Sequence, residues 1–546
     1  MARRLRHSAP IVVAAAALLV AAGLAGSAGG ARTSAVADAP KGGTLRIGAA
    51  NVDFVDPALG YWRDAWLIQD ATCARLFANR YSADAGGWRV TTEVVDQYTV
   101  SRDARVYVLT LKKTFRFHTG ARVTAQSFAD AFNRNARLRT PRSPAAVYMR
   151  EIVGATAVSE DRAPSISGIR VLDRDRLQIR LTRPVGDFIA RLTMPFFCPI
   201  PPSTPVDRAT DNPAGSGPYY IAEHVPNQRI VLKRNPFYRG GRPANVDQMV
   251  WTTGESVEAC LLAVEQDRVD VCGLPGAPRD SWRTLAVKYG INRPAGRLFV
   301  APSLSTWALV FNHDRPAFRG PGQIALKKAI NFAIDRPAMV RPFGYLGGKR
   351  TDQMLPPALA RPASIYPVGG ADVVAARRWY ARARVRPSKL VFYTAALPQH
   401  VAVAEILAFN LRQIGIDLEV KYFAISALAE KAATPGEPFD LVILGWNVDY
   451  VDASSFMAPL LGRGPTSAGI NLADPKLQRR IDAANRLTGE ARRQAWADLD
   501  IDLMRTNPPW APFMHIQNRT LVSRSVGCFV NHPVVTFDIT ALCKKR

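Results

Sequence analysis

Leu390-Val391-Phe392-Tyr393-Thr394-Ala395, Asp417-Leu418-Glu419-Val420-Lys421-Tyr422-Phe423 and Asp440-Leu441-Val442-Ile443-Leu444 decide the fold class. The first two read as strands, the second alternating Leu418, Val420 and Tyr422 on one face. The third is an almost unbroken apolar run, as a parallel strand covered on both faces requires. Between the first two, Val401 to Ile414 carries Val403, Ile406, Leu407 and Leu411 at helical spacing, and Gly415 follows as a helix terminator. Ser426 to Ala433 is a short helix between the second and third. The order βαβαβ predicts an α/β fold with a doubly wound parallel sheet. Ligands of such sheets lie beyond the carboxyl ends of the strands. At that end of the third strand stand Gly445, Trp446, Asn447, Val448 and Asp449.

Working outward, Leu326, Ile330, Ala333 and Ile334 predict a helix over 324–340, and two more helices are expected at about 475–488 and 490–505. From Ala511 the pattern returns to β type. Upstream, Thr44 to Gly48, Val106 to Leu111 and Leu177 to Leu181 alternate like strands. Thr124 to Arg137 reads as a helix with Thr124 as N-cap and Phe128, Ala131 and Phe132 buried. Residues 199–218 form a loop rich in Pro, Gly and Asp, of a length that is often functional.

The chain has 546 residues, of which 48% are hydrophobic and 21% charged, so a disordered chain is excluded and several domains are expected. Its net charge of +26 comes mostly from arginine. Those arginines are scattered, with no long basic run beyond Lys544-Lys545-Arg546, which reads as a solvated surface and not as a nucleic-acid interface. Arg3, Arg4 and Arg6, the apolar stretch Ile11 to Ala25 and the small-residue site Ala35-Val36-Ala37 have the layout of a secretory signal peptide over 1–37. No later segment has the roughly 18 consecutive apolar residues of a membrane span. In an exported protein cysteines tend to pair. Six cysteines allow fifteen connectivities, and one choice that uses all of them is Cys73–Cys198, Cys260–Cys272 and Cys528–Cys543. A zinc site is disfavoured because the chain has neither C-x-x-C nor a nearby His pair. No catalytic signature is present: there is no G-x-S-x-G, no H-E-x-x-H and no phosphate-binding G-x-x-x-x-G-K-[ST], and the seven histidines are isolated.

Several blocks resemble one family in order along the chain. They are Lys41-Gly42-Gly43-Thr44-Leu45-Arg46-Ile47-Gly48 with Asp56-Pro57-Ala58-Leu59, and Gly215-Ser216-Gly217-Pro218-Tyr219-Tyr220 with Ile230 to Pro236. Phe311-Asn312 with Ala329 to Arg336, and Gly445-Trp446 with Asp449-Tyr450 and Asp452, complete the set. Together these resemble the extracellular solute-binding proteins of family 5, which serve peptide- and nickel-type ABC importers; Cys73, Cys198, Cys528 and Cys543 resemble positions of the actinobacterial branch.

The resemblance implies a two-lobe periplasmic-binding-protein-like fold (type II, cluster C) with an extra subdomain at about 60–200 in the first lobe. The first lobe would span 38–304 and the second 305–508, with 509–546 returning to the first. The implied function is capture of di- to oligopeptides between the lobes and delivery to ABC permease subunits outside the cytoplasm, by a monomer without catalysis, cofactor, metal or nucleic acid. A non-peptide solute (a nickel chelate, a glycoconjugate or a small cation) and, further off, a secreted hydrolase are the alternatives. In peptide-binding relatives an Asp three residues after Gly-Trp meets the ligand ammonium; that position is Asp449 here. Trp446 is expected to stack on ligand or support the strand end, with Asn447 beside it. Asp452 is a second acidic candidate, though Ala453 replaces the usual following Pro. Tyr61 and Trp62 are expected to line the cleft from the first lobe.

Overall fold

The computed structural model describes residues 39–49, 52–81, 88–254, 256–272, 281–461, 472 and 474–545. The signal-peptide reading of 1–37 lies outside them. In the first lobe, β1 (Thr44–Ala49), β2 (Tyr219–Val225), β3 (Arg229–Arg234), β4 (Gln248–Thr253) and β5 (Val271–Cys272) form one sheet in the order β5-β1-β4-β3-β2. β1 runs parallel to both neighbours, with Leu45 opposite Met249 and Ile47 opposite Trp251 and Val271. All of these apolar side chains are buried.

The extra subdomain is an antiparallel sheet of Val95–Val100, Val106–Leu111, Arg176–Arg180 and Ile169–Asp173, covered by helix α2, with α1 (Arg63–Thr72) preceding it in the chain and α2 itself spanning Ala125–Arg137. Thr124 caps α2 through a reciprocal bond with Ser127, and Phe128, Ala131 and Phe132 are buried as their spacing predicts. Arg134 of α2 grips Asp56 with two bonds of 2.8 and 2.6 Å and also donates to the Arg208 carbonyl at 2.7 Å. Thr210 N donates to the same carboxylate at 2.9 Å, so the 199–218 loop is fixed by a buried ion pair. The Asp-Pro-Ala-Leu and Gly-Ser-Gly-Pro blocks are therefore structural joints. Ser216 N and Gly217 N both donate to the Thr72 carbonyl at the end of α1, and a Cβ on Gly217 would sit 2.6 Å from the Ala71 carbonyl.

The second lobe is built on β6 (Leu298–Phe311), β7 (Gly348–Arg350), β8 (Lys389–Ala395), β9 (Asp417–Phe423), β10 (Leu441–Asn447) and β11 (Trp510–Leu521), in the order β7-β11-β6-β10-β8-β9. The expected parallel trio is present: β8 runs parallel to both β9 and β10. The sheet as a whole is mixed, because β6 and β11 pair antiparallel with each other and β10 pairs antiparallel with β6. Val442 packs into one core and Leu441 and Ile443 into another, so β10 is buried on both faces. One sequence expectation is corrected: 324–340 is two helices, α3 (Ile324–Ala333) and α4 (Arg336–Val340). Pro337 has no N–H to continue the ladder, and Asp335 restarts it by accepting from Ala338 N at 3.0 Å. Arg336 is fully buried and donates to the carbonyls of Thr351, Pro512, Asn331 and Pro367 at 2.8–3.0 Å, pinning α4 to β11.

Helices α5 (Pro398–Arg412) and α6 (Ile425–Ala433) connect the parallel strands; α7 (Ser454–Leu461), α8 (Pro475–Arg486) and α9 (Gly489–Thr506) follow β10. The chain leaves α5 through Gly415 at φ +82°, a left-handed turn that suits glycine. The disulfides are Cys73–Cys198, Cys260–Cys272 and Cys528–Cys543. No helix among the described residues is long and apolar enough to cross a membrane.

Candidate functional site

A cavity of about 400 Å³ opens at the carboxyl ends of β8 and β10, where Ala395, Leu444, Gly445 and Asn447 line it. Trp307 of β6 and Met514 of β11 form its floor, and Arg63 at the start of α1 and Thr536 reach it from the first-lobe side. Its volume is within the range of small-ligand sites. Gly445 shapes it: a Cβ there would lie 2.7 Å from the Trp307 indole, so only glycine lets that ring lie flat against the strand. Trp307 in turn meets His400 edge-on at 4.8 Å, and burial holds that imidazole neutral, with its pKa lowered to about 4.

Beside the cavity, Asp449 is buried at the seam between the lobes. Its two oxygens accept from first-lobe hydroxyls, Tyr61 at 3.0 Å and Tyr148 at 2.8 Å, and its own N–H donates to Ser455 Oγ at 2.9 Å. The two tyrosine oxygens are 3.2 Å apart. No basic side chain pairs with Asp449 among the described residues. Burial therefore raises its pKa to about 7, despite the hydrogen bonds that favour the ionised form. Tyr61 is placed by Asp53, whose Oδ2 accepts from Tyr61 N at 2.7 Å and Trp62 N at 3.0 Å.

The adjacent acids are in a different situation. Asp452 forms a two-point ion pair with Arg492 of α9, both contacts 2.8 Å, and accepts from Ser454 N at 2.9 Å to start α7. Tyr450 and Ser454 donate to first-lobe Asp187 at 2.8 and 2.6 Å. Burial alone would raise the Asp187 carboxyl, but Arg191 and Arg492 overcome it and hold the pKa at about 2. Arg183 completes this seam by bridging Asp482 at 2.8 Å and Glu151 at 3.0 Å.

Among the residues expected from sequence, Asn447 lines the cavity and accepts from Arg63 Nη2 at 3.0 Å and Ser305 Oγ at 2.5 Å. Asp449 and Tyr61 meet each other at the seam. Trp446 is not on the cavity wall; its Nε1 donates to the Ser455 carbonyl at 2.8 Å and it supports the loop that carries Asp449. Trp62 is 46% exposed, stands at the N-terminal boundary of α1 without a side-chain capping bond, and is not on the cavity wall. Asp452 is committed to Arg492. Sequence reading missed Tyr148, Arg63, Trp307 and Arg519. None lies in a motif, and only the fold brings them to one place.

Residues 89–468 match the profile of the bacterial extracellular solute-binding proteins, family 5 (Middle). The chain belongs to this family. Among family-5 relatives, the periplasmic oligopeptide-binding protein OppA of Escherichia coli (strain K12) is 22% identical over 536 residues, covering 93% of this chain and 95% of OppA. The probable D,D-dipeptide-binding periplasmic protein DdpA of the same organism is 23% identical over 418 residues, 75% of each chain. In structure, the clavulanic acid biosynthesis oligopeptide binding protein 2 superposes with a TM-score of 0.82 at 22% identity, covering 93% of this chain and 96% of that one. Haemophilus influenzae OppA in complex with RPPGFSPFR gives a TM-score of 0.74 at 17% identity, covering 93% and 100%. These likenesses establish the two-lobe family-5 fold.

Proposed function

We propose that this protein is the extracytoplasmic solute-binding component of an ABC importer, capturing peptides between its lobes and passing them to a membrane permease. It acts by binding and release, as a monomer, without catalysis and without a nucleic-acid partner. The observation that carries the reading is Asp449: a carboxylate buried at the interlobe seam with two hydroxyl donors and no cation. An unpaired buried charge costs several kcal/mol. A peptide α-ammonium arriving at the same seam supplies the missing partner, displacing or sharing one tyrosine hydroxyl. Trp446 holds the loop of Asp449 in place, Asn447 offers an amide to the ligand, and Asp452 secures the start of α7. The names of the relatives favour the same ligand class.

We further propose that 38–304 and the chain after β11 move as one lobe and 305–508 as the other, with Trp510–Ile516 of β11 staying in the second-lobe sheet, where they pair with β6 and β7, so that the return lies later than the expected 509. The pairing of β6 with β11 supports this, because its register slips between Pro302 and Thr306, where the two passes cross between the lobes. Mass spectrometry of solutes that co-purify with the protein, together with thermal shifts against a peptide library, tests the function. A ligand that binds only the native state raises stability as RT ln(1 + [L]/Kd). Shifts confined to nickel chelates, glycoconjugates or small cations overturn the peptide reading, and turnover of a bound peptide overturns the binding reading.

A further inference from the structure

The arginines that are scattered over most of the chain crowd together in one place. Residues 353–404 contain a single acid, Asp372, and after it come Arg377, Arg378, Arg382, Arg384, Arg386 and Lys389. The first three belong to the helix Val373–Ala381 and its C-cap. Ala376 is buried beneath that helix in the same core as Ala329 and Ile330 of α3, while Val374, Arg377, Arg378 and Arg382 face solvent. In the turn that follows, Tyr380 donates its hydroxyl to the Pro387 carbonyl at 3.0 Å, and Arg384, Val385 and Arg386 are exposed. Two neighbouring segments enlarge the patch. Arg377 donates to the Gln413 carbonyl at 2.8 Å, next to the exposed Arg412 at the end of α5. Lys328 of α3 lies 4.6 Å over the Trp379 ring, which Arg382 also meets at 5.2 Å. Many exposed arginines elsewhere have an acid beside them: Arg105 has Asp103, Arg176 has Asp173, Arg229 has Glu223 and Arg480 has Asp502. None of the five arginines at 377–386 has one among the described residues. Asp372 serves as the helix cap, accepting from Ala375 N at 2.8 Å, and Lys389 alone is paired, to Glu419 at 2.7 Å. Like charges gathered this closely repel one another, and a negatively charged counter-surface relieves that repulsion. The face is not purely polar, since Val374 is 62% and Val385 41% exposed among the arginines. Basic residues interleaved with apolar ones and a tryptophan suit the boundary of a bilayer, where charge lies over hydrocarbon; a polyanion in solution offers charge alone. None of these residues lines the cavity.

We propose that this face of the second lobe, Arg377 to Arg386 with Lys328 and Arg412 beside it, is a peripheral docking surface for a bilayer that carries anionic phospholipid headgroups. The guanidinium groups meet headgroup phosphates, and Val374 and Val385 enter the apolar boundary beneath them. Each basic side chain adds to the attraction, and salt screens it. This goes beyond solute capture and does not depend on what the cleft binds: it concentrates the protein on a membrane surface through a face that the cavity does not use.

Flotation of the mature protein with phosphatidylcholine vesicles, with and without about 30% phosphatidylglycerol, tests this. Partition onto the vesicles is expected to rise about tenfold or more with the anionic lipid and to fall steeply as salt is raised. The triple variant Arg378→Gln, Arg382→Gln, Arg384→Gln should lose about tenfold or more of that binding. The triple variant Arg102→Gln, Arg174→Gln, Arg479→Gln removes the same charge from exposed arginines dispersed over the molecule and should lose less than about threefold. Val374→Ser together with Val385→Ser should weaken vesicle binding about threefold and leave binding to soluble poly-glutamate unchanged. Thermal midpoints are measured alongside; where a triple variant is destabilised, Arg384→Gln alone, on the turn outside the helix, decides, with an expected loss of about threefold. Partition that ignores lipid charge, an equal loss in both triple variants, or poly-glutamate binding as tight as that to anionic vesicles with no effect of the valine changes overturns this inference. Each of those outcomes leaves the capture reading standing, because none involves the cleft.

Discussion

If Asp449 receives a peptide ammonium, as proposed, the affinity of this protein for an amine-bearing peptide should depend on pH in a calculable way. Without ligand its carboxyl titrates at about 7 because it is buried without a cation. A bound ammonium favours the ionised form and drives that pKa below the ordinary carboxylate range. Below pH 7, binding must therefore expel a proton. The association constant should rise about ninefold from pH 5 to pH 6 and about fivefold from pH 6 to pH 7, and level off above that. Across those two units the change is about fiftyfold, or about 2 kcal/mol. The α-ammonium of the peptide, with a pKa near 8, stays charged through this window. His400, His515 and His532 are held neutral by burial, with pKa values of about 4, and contribute nothing to it. Asp64 and Asp500 are also raised to about 7 by burial, so the slope alone does not single out Asp449. The variant Asp449→Asn does: it should bind at least a hundredfold more weakly at pH 7.5 and lose the slope. Isothermal titration at pH 5, 6, 7 and 7.5, in two buffers of different ionisation enthalpy, measures affinity and proton release together. About one proton should leave per ligand at pH 5 and half of one at pH 7. Flat affinity between pH 5 and 7, or a slope that survives in Asp449→Asn, refutes the assignment.

Three further outcomes follow from the same geometry. Without ligand, Asp449→Asn should stabilise the fold at pH 8 and have little effect at pH 4. A carboxyl raised from 3.8 to about 7 costs nothing below 3.8 and up to about 4 kcal/mol once pH exceeds 7, and a difference in thermal midpoint that does not vary with pH counts against this. Arg492→Met removes the partner of Asp452 and one partner of Asp187 in a dry seam, and should lower the urea midpoint by the equivalent of about 3–5 kcal/mol; a midpoint within error of wild type shows that the seam does not hold the lobes. Gly445→Ala forces the Trp307 indole off its strand, at a cost of about 1–3 kcal/mol, and should weaken ligand affinity tenfold or more with a shift in tryptophan emission; unchanged emission and affinity would place the ring elsewhere.

Much of the second lobe is legible from local pattern, because β8, β9 and β10 lie close in sequence and β10 is covered on both faces, which an unbroken apolar run announces. The antiparallel half of that sheet is not legible, since β6 and β11 are partners separated by some two hundred residues and neither carries a mark of the other. The expected single helix over 324–340 also ran through the break at Ile334 and Asp335 between α3 and α4, although Pro337, just beyond it in the first turn of α4, marks a helix start. The site divides in the same manner. The motif around Gly445-Trp446 locates the sheet edge, and Asn447 and Asp449 come to the cavity and the seam because a strand end fixes where the next few residues go. Tyr148, Arg63 and Arg519 come from three distant segments, and only tertiary packing joins them.

The pair Asp449 and Asp452 shows why such roles lie beyond local pattern. Both are acids in one short loop after one strand, equally eligible as anchors for a positive charge. What separates them is Arg492, forty residues downstream, which folds against Asp452 and leaves Asp449 to two hydroxyls. An ion pair satisfies the first acid and turns it into a brace for α7. The second retains an electrostatic debt that neutral donors reduce without cancelling, as its raised pKa records. A carboxylate in that condition favours whatever brings a cation to it, and at a seam between two lobes the incoming cation also strengthens the contact that holds the lobes together. Capture and closure then draw on one interaction, so a substitution that weakens ammonium binding at Asp449 should weaken closure with it, whereas one at Arg492 should loosen the seam and leave the chemistry of recognition unchanged.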